Sequence, residues 1–351
     1  MPSFNLFKPN NRPRSTGNNP AAQVIEEQDV NRWFFADYRP PFPLRGGHWQ
    51  TVYPTLFRPR PTVSYRRERI TTPDGDFLDL DWSATGNDRL ILICHGLESS
   101  SDAKYVRGMV RALNASGWDA LAMNLRGCSG EPNSLPRSYH SGATEDVVTA
   151  LEHAVKTNSY RRIVLLGFSL GGNIVLKLAG ERPPILKEQV DAVVGISVPC
   201  DLEAGARQLE TSSNALYQWR FVRGLKEKVL AKCELFPGLF CREDILAVRS
   251  VREFDEVYTA PVHGFANASD YYRRCSCKRQ LQQVSVPSLI INAADDPFLP
   301  AECYPWQESA GNSLLTLLVP RWGGHVGFVD WSDGGLYWHE RSVRDFLSAF
   351  E

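Results

Sequence analysis

Apolar and polar positions along this chain follow two rhythms, and their order outlines a fold. Tyr65–Ile70 and Phe77–Trp82 flank the turn Pro73-Asp74-Gly75-Asp76, which predicts an antiparallel hairpin. Leu90–Cys94 is a compact apolar run, a buried strand, and Lys104–Ala115 has helical spacing. The pair then repeats: strand Trp118–Met123 and helix Thr144–Lys156, strand Ile163–Gly167 and helix Gly171–Ala179, then strand Val190–Ser197. The rhythm breaks after Pro199. Asp201–Cys277 is mostly polar and helical in character, and the alternation resumes with strands Pro287–Asn292 and Leu314–Val319 and helix Gly335–Phe350. The expectation is an α/β fold, a mostly parallel eight-stranded sheet flanked by helices on both faces. A helical cap insertion at about 200–285 lies over one end of it.

The N-terminal part reads differently. Residues 1–31 lack an apolar signal core, and Met1–Pro20 is rich in Asn, Pro and Ser, so a flexible tail is expected. Residues 32–61 are dense in rings (Trp33, Phe34, Phe35, Tyr38, Phe42, Trp49, Tyr53, Phe57) and in proline. Recurrent proline blocks regular structure, and so many rings avoid water, which together predict an irregular arm packed on the body. The body proper is then 62–351.

Composition narrows the function. Lys+Arg 39 against Asp+Glu 40 leaves a formal charge of −1 over 351 residues, so no global positive field draws the chain to nucleic acid. No apolar run approaches the ~20 residues of a transmembrane helix; peripheral membrane contact stays open, and so does the oligomeric state. The eight cysteines are scattered, and Cys275-Ser276-Cys277 lacks the spacer of a redox or zinc pair. The histidines form no HExxH-type group. The expectation is a cytoplasmic protein with reduced thiols, no metal and no cofactor.

Candidate chemistry sits just after the parallel strands, where open α/β sheets bind ligands. Gly167-Phe168-Ser169-Leu170-Gly171 follows a strand and opens an apolar helix, the pattern of a nucleophile elbow with Ser169 at its tip. Serine needs a base, and the base an orienting carboxylate. His325 in Gly323-Gly324-His325-Val326-Gly327 is the candidate base. The acid comes from Asp295-Asp296-Pro297; the fixed φ of Pro297 favours Asp296, with Asp295 the alternative. The chain order Ser, Asp, His is that of an α/β-hydrolase triad. The Leu170 amide at the helix start and the Leu97 amide in His95-Gly96-Leu97-Glu98 are the candidate oxyanion donors, His95 ordering that loop. Arg126 either holds a loop by pairing with acids, the favoured reading, or binds a substrate anion. His48 and His140 read as loop-fixing, and nothing near Cys128 in sequence lowers its pKa. Tyr271, Tyr272, Arg273 and Arg274 read as part of the cap rather than a nucleic-acid patch. Leu216, Tyr217, Trp219, Phe221, Leu235, Phe236 and Phe240 line an acyl pocket or form the core of the insertion.

These segments resemble the YheT-like branch of the α/β-hydrolase superfamily, AB hydrolase family 4. The resemblance rests on Gly47-His48-Trp49-Gln50-Thr51, Pro73-Asp74-Gly75-Asp76-Phe77, His95-Gly96-Leu97-Glu98, Arg126-Gly127-Cys128-Ser129-Gly130-Glu131-Pro132-Asn133 and Tyr139-His140-Ser141-Gly142. It continues through Gly167–Asn173, Arg252-Glu253-Phe254-Asp255, Asp295–Phe298 and Gly323–Phe328. It implies the α/β-hydrolase fold and a serine hydrolase with Ser169 as nucleophile, Asp296 as acid and His325 as base. The implied substrates are carboxylic esters, small or acyl-lipid, cleaved through an acyl-enzyme. Some relatives transfer the acyl group to an alcohol, and thioester or amide cleavage is a further alternative. Animal relatives carry an N-terminal anchor, whereas this tail resembles the bacterial form. Glu98-Ser99 departs from the Glu-Gly of many relatives, in the loop of the Leu97 amide.

Overall fold

The computed structural model describes residues 33–34, 38–331 and 334–350. The tail expected at 1–31 lies outside them. The first elements are a two-residue strand β1 (Trp33–Phe34) and helix α1 (Gly47–Phe57), then β2 (Arg66–Thr71), β3 (Phe77–Ser83), β4 (Arg89–Cys94), α2 (Lys104–Asn114) and β5 (Asp119–Asn124). Next come α3 (Thr144–Thr157), β6 (Arg162–Phe168), α4 (Leu170–Glu181), α5 (Pro184–Gln189) and β7 (Ala192–Ile196). Between β7 and β8 the chain is helical: α6 (Leu202–Leu209), α7 (Ala215–Leu235), α8 (Arg242–Ala247), α9 (Val251–Phe254), α10 (Ala260–Val262) and α11 (Ala268–Cys275). It closes with β8 (Ser288–Ile291), α12 (Trp306–Gly311), β9 (Leu315–Leu318) and α13 (Trp338–Leu347).

The sheet runs β1-β9-β8-β7-β6-β4-β5-β3-β2. The eight expected strands all form, and β1 adds a short parallel pairing of Trp33 with Leu317 at the β9 edge. The β2–β3 and β3–β5 pairs are antiparallel; the others are parallel. Side-chain alternation splits β4 between two cores, Leu90, Leu92 and Cys94 facing one layer and Ile91 and Ile93 the other. Burial on both faces is what lets the central strands read as unbroken apolar runs.

One expectation is corrected. Residues 47–57 are a helix, not irregular arm. Proline is absent from Arg45 to Tyr53, room enough for two turns, and Pro54 near the end costs the hydrogen bond to Gln50 without stopping the helix. The expected aromatic role of the insertion divides. Val222, Leu225, Val229, Ile245, Val248, Val251, Phe254 and Tyr258 form a separate core with Phe240 beside it, whereas Leu216, Trp219 and Leu235 are exposed. Phe221 alone of the seven aromatic and leucine residues singled out lines the cavity described below.

Candidate active site

The turn from β6 into α4 is tight enough to constrain its sequence. Ser169 sits at φ 51°, ψ −118°, and its amide bonds the Ile196 carbonyl at 2.8 Å. A Cβ on Gly171 would lie 2.4 Å from the Cys94 carbonyl oxygen, so only glycine fits where the elbow crosses β4. Five of the six non-glycine residues with positive φ among the described residues are Glu98, Ser169, Ser197, Val326 and Phe328, all in the loops around this turn. Such strain persists only where surrounding structure holds it, and it concentrates at functional sites.

Ser169, His325 and Asp296 come together from three strand ends. Ser169 Oγ stands 2.9 Å from His325 Nε2, and His325 Nδ1 stands 2.8 Å from Asp296 Oδ2. Asp296 Oδ1 accepts the Phe298 amide at 2.9 Å. A carboxylate at Nδ1 places the neutral ring's proton there and leaves Nε2 to accept from the serine hydroxyl. Asp295 faces elsewhere: its Oδ1 accepts the Gly324 amide at 2.9 Å, and burial together with the neighbouring Asp296 charge pushes its carboxyl up to about 6. The Leu97 and Leu170 amides carry no protein hydrogen bond among the described residues.

Several residues that brace this site were not picked out as such by pattern. In α1, a Cβ on Gly47 would fall 1.8 Å from the Asp295 carbonyl oxygen, so the helix seats directly against the acid loop. Gln50 Oε1 accepts the Val329 amide at 2.8 Å, and Thr51 Oγ1 accepts the His325 amide at 2.9 Å. The segment Gly47-His48-Trp49-Gln50-Thr51 therefore buttresses the histidine loop. Ser197 Oγ accepts the Val326 amide from the other side at 2.9 Å. His48 Nδ1 lies 3.1 Å from Tyr217 Oη, joining α1 to the insertion.

The loop after β4 is held by groups far apart in sequence. His95 Nε2 accepts the Leu125 amide (3.1 Å) and its Nδ1 lies 2.8 Å from the Gly96 carbonyl, tying the ends of β4 and β5. Burial holds His95 neutral, its pKa down to about 4. Tyr139 Oη accepts the Glu98 amide (3.0 Å) and donates to Glu98 Oε1 (2.7 Å). Lys228 Nζ reaches the same Oε1 at 2.9 Å and Cys128 Sγ at 3.0 Å. Burial nonetheless pushes the Cys128 thiol up to about 11, against the lowering effect of Lys228. On α7, Phe221, Leu225, Lys228 and Lys232 follow helical spacing and share one face. The first two line the cavity, and Lys232 donates to the Leu135 carbonyl. That stripe was the signal available in sequence.

Arg126 is engaged by acids: Asp146 by two bonds (2.8 and 2.6 Å), Asp76 (3.0 Å) and Asp74 (2.8 Å). Ser169 and His325 both open into one cavity. Its lining includes Leu97, Leu170, Leu209, Phe221, Leu225 and Phe298. Among the described residues no cluster of His, Cys, Asp or Glu could hold a metal ion, and no helix is long and apolar enough to cross a membrane.

Comparison with known proteins agrees with this architecture. A family model described as "alpha/beta hydrolase fold" matches residues 89–330. The chain is 38% identical to "Putative esterase YheT" of Escherichia coli K12, over 88% of this chain and 93% of that one. It is 29% identical to "Phospholipase ABHD3" of Bos taurus, over 86% of this chain and 76% of that one. Among solved structures, esterase Pf2001 of Pyrococcus furiosus shares the fold with a TM-score of 0.55 at 19% identity, covering 83% of this chain and 97% of that one. The chain belongs to the α/β-hydrolase family and to its YheT-like branch.

Proposed function

We propose that this α/β hydrolase cleaves carboxylic esters with an acyl chain through an acyl-enzyme on Ser169. The relay from Ser169 Oγ to His325 to Asp296, at 2.9 and 2.8 Å and opening into an apolar cavity, carries this reading. His325 Nε2 takes the Ser169 proton as Oγ attacks the ester carbonyl. Asp296 keeps the ring oriented and stabilises the imidazolium. The Leu97 and Leu170 amides receive the oxyanion, and the α4 N-terminus adds its dipole. Each such donor lowers the barrier by about 3 kcal/mol. His325 then returns its proton to the departing alkoxide and activates the water that releases the acid. A lipid-like ester suits the apolar lining and the similarity to a protein named as a phospholipase.

The test is hydrolysis of nitrophenyl esters of increasing acyl length by the wild type and Ser169→Ala, with products identified. Release of acid that peaks at a chain length and vanishes in the variant supports the reading. Unchanged turnover in Ser169→Ala contradicts it. Esters of an added alcohol appearing in place of acid would assign acyl transfer instead.

A further inference from the structure

The Arg252-Glu253-Phe254-Asp255 segment plays no part in the chemistry above. In the structure its side chains divide their work. Arg252 pairs with Glu203 (3.2 Å) and donates to Ser269 Oγ (2.8 Å), bracing α9 against α6 and α11. The Glu253 amide donates to Ser250 Oγ, and Glu253 Oε2 accepts the Arg249 amide. Phe254 and Asp255 both line the cavity that contains Ser169 and His325. They are adjacent in sequence, and the chain passes from α9 into a π-helical turn at Asp255–Thr259. Single π turns within helices recur at functional sites, where they redirect a side chain.

Asp255 is an uncommon residue for such a wall. It is 7% exposed and makes no ion pair among the described residues. Tyr272 Oη donates to its Oδ2 at 2.7 Å, and Thr259 supplies a second bond. A carboxylate offers about four acceptor sites, so roughly half of its capacity has no protein donor. Burial, against the bonds from Thr259 and Tyr272, pushes its carboxyl up to about 6. Leaving an acid there costs stability unless something in the cavity repays it.

A second polar group lines the same cavity. His140 also lines it, and its Nδ1 accepts the Gly142 amide at 3.1 Å, which puts the proton of the neutral ring on Nε2. Burial and the nearby His263 keep that ring neutral. Nε2 has no hydrogen-bond partner among the described residues. His140 and Asp255 are linked through Tyr271, 5.9 Å from the His140 ring, and Tyr272, 5.1 Å further on. An acceptor and a neutral donor in one apolar chamber match a group that both donates and accepts. A hydroxyl does so; an ammonium only donates.

We infer that Asp255 is a specificity residue of the proposed ester hydrolase and that the preferred ester carries a hydroxyl on the portion buried in this cavity, received by Asp255. This rests on the ester-hydrolase reading. The hydroxyl has two possible sources, the acyl chain or a glycerol-type alcohol.

The experiment compares matched pairs of esters: ω-hydroxyacyl against plain acyl esters across chain lengths, and glycerol monoesters against methyl esters of the same acids. Wild type, Asp255→Leu, Asp255→Asn and Ser169→Ala are run in parallel. In one pair series the wild type is expected to favour the hydroxylated ester about 10- to 100-fold in kcat/KM, the discrimination set by one buried hydrogen bond to an acid. The series that shows it names the source. Asp255→Leu brings that ratio to about one, and Asp255→Asn, which keeps an acceptor, leaves it intermediate. A wild-type ratio near one in both series, or a ratio unaltered in the variants, overturns the inference. Should Asp255→Leu fail to fold, the near-isosteric Asp255→Asn decides alone, since the ratio is internal to each protein. Turnover surviving in Ser169→Ala would instead overturn the hydrolase reading, so the two failures are distinguishable.

Discussion

Replacing Arg126 with Met separates a structural from a substrate-binding role for the most buried guanidinium near the site. Its partners Asp76 and Asp146 have side chains 0% and 1% exposed, and Arg126 is their shared cation. Asp74, about a third exposed, contributes less. Removing one partner of a buried charge set leaves the others uncompensated, at a cost of about 3–5 kcal/mol. Using the shift of about 2–4 °C per kcal/mol for domains approaching this size, the expected loss in Tm is roughly 6–20 °C. The pH dependence adds a signature. Burial alone would raise the Asp74 and Asp76 carboxyls, but the bonds they accept, with Arg126 contributing to both, outweigh it and hold them below the ordinary range. A carboxyl depressed on folding stabilises above its unfolded pKa of about 4 and loses that contribution as pH falls through the folded value. In Arg126→Met Asp76 loses its cation and Asp74 keeps only Arg137, so both are relieved by protonation. The stability gap to wild type is therefore widest near neutrality and narrows below about pH 4. The assay is thermal unfolding from pH 3 to 8 alongside kcat/KM on a neutral and an anionic ester. A Tm within about 2 °C of wild type, with KM raised for the anionic ester alone, would refute the reasoning.

Substitutions at four further residues probe the site. Asp296→Asn is expected to lower kcat by about 10⁴ by disfavouring the required tautomer, while Asp295→Asn, which keeps an acceptor for the Gly324 amide, stays within about tenfold of wild type; steady-state kinetics on one ester checks both. Lys228→Met frees Glu98 beside the Leu97 amide and is expected to lower kcat about tenfold with little change in KM, recovering in Lys228→Arg. Thr51→Val leaves the His325 amide unpaired and is expected to cost about 1 kcal/mol in denaturant unfolding together with a fall in kcat.

The parts of this molecule that could be read from sequence are those governed by short-range pattern. Strands buried on both faces, such as Leu90–Cys94, announce themselves as apolar runs, and the Ser169 elbow does so because its glycines are dictated by sterics within a few residues. Helix α1 was hidden because Pro54 and the surrounding rings mimic an irregular segment, while what stabilises it is contact with the loops of Asp295 and His325. The choice between Asp295 and Asp296 turns on which of two adjacent side chains the twist of one loop aims at the histidine. Lys228 and Glu98 lie 130 residues apart, and Arg126 lies 50 residues from Asp76. No local pattern reports such pairings, although the stripe on α7 marks the face that makes the first of them.

The central claim is that Ser169 is the nucleophile of an acyl-transfer relay, and it is tested most directly by fluorophosphonate labelling read by intact mass and peptide mapping. A hydroxyl activated by His325 displaces fluoride and forms a stable phosphonate ester. The account expects one adduct on the folded wild type, mapped to Ser169, absent in Ser169→Ala and slowed at least 10³-fold in His325→Ala. An adduct on another residue, or labelling of Ser169→Ala at the wild-type rate, would contradict it.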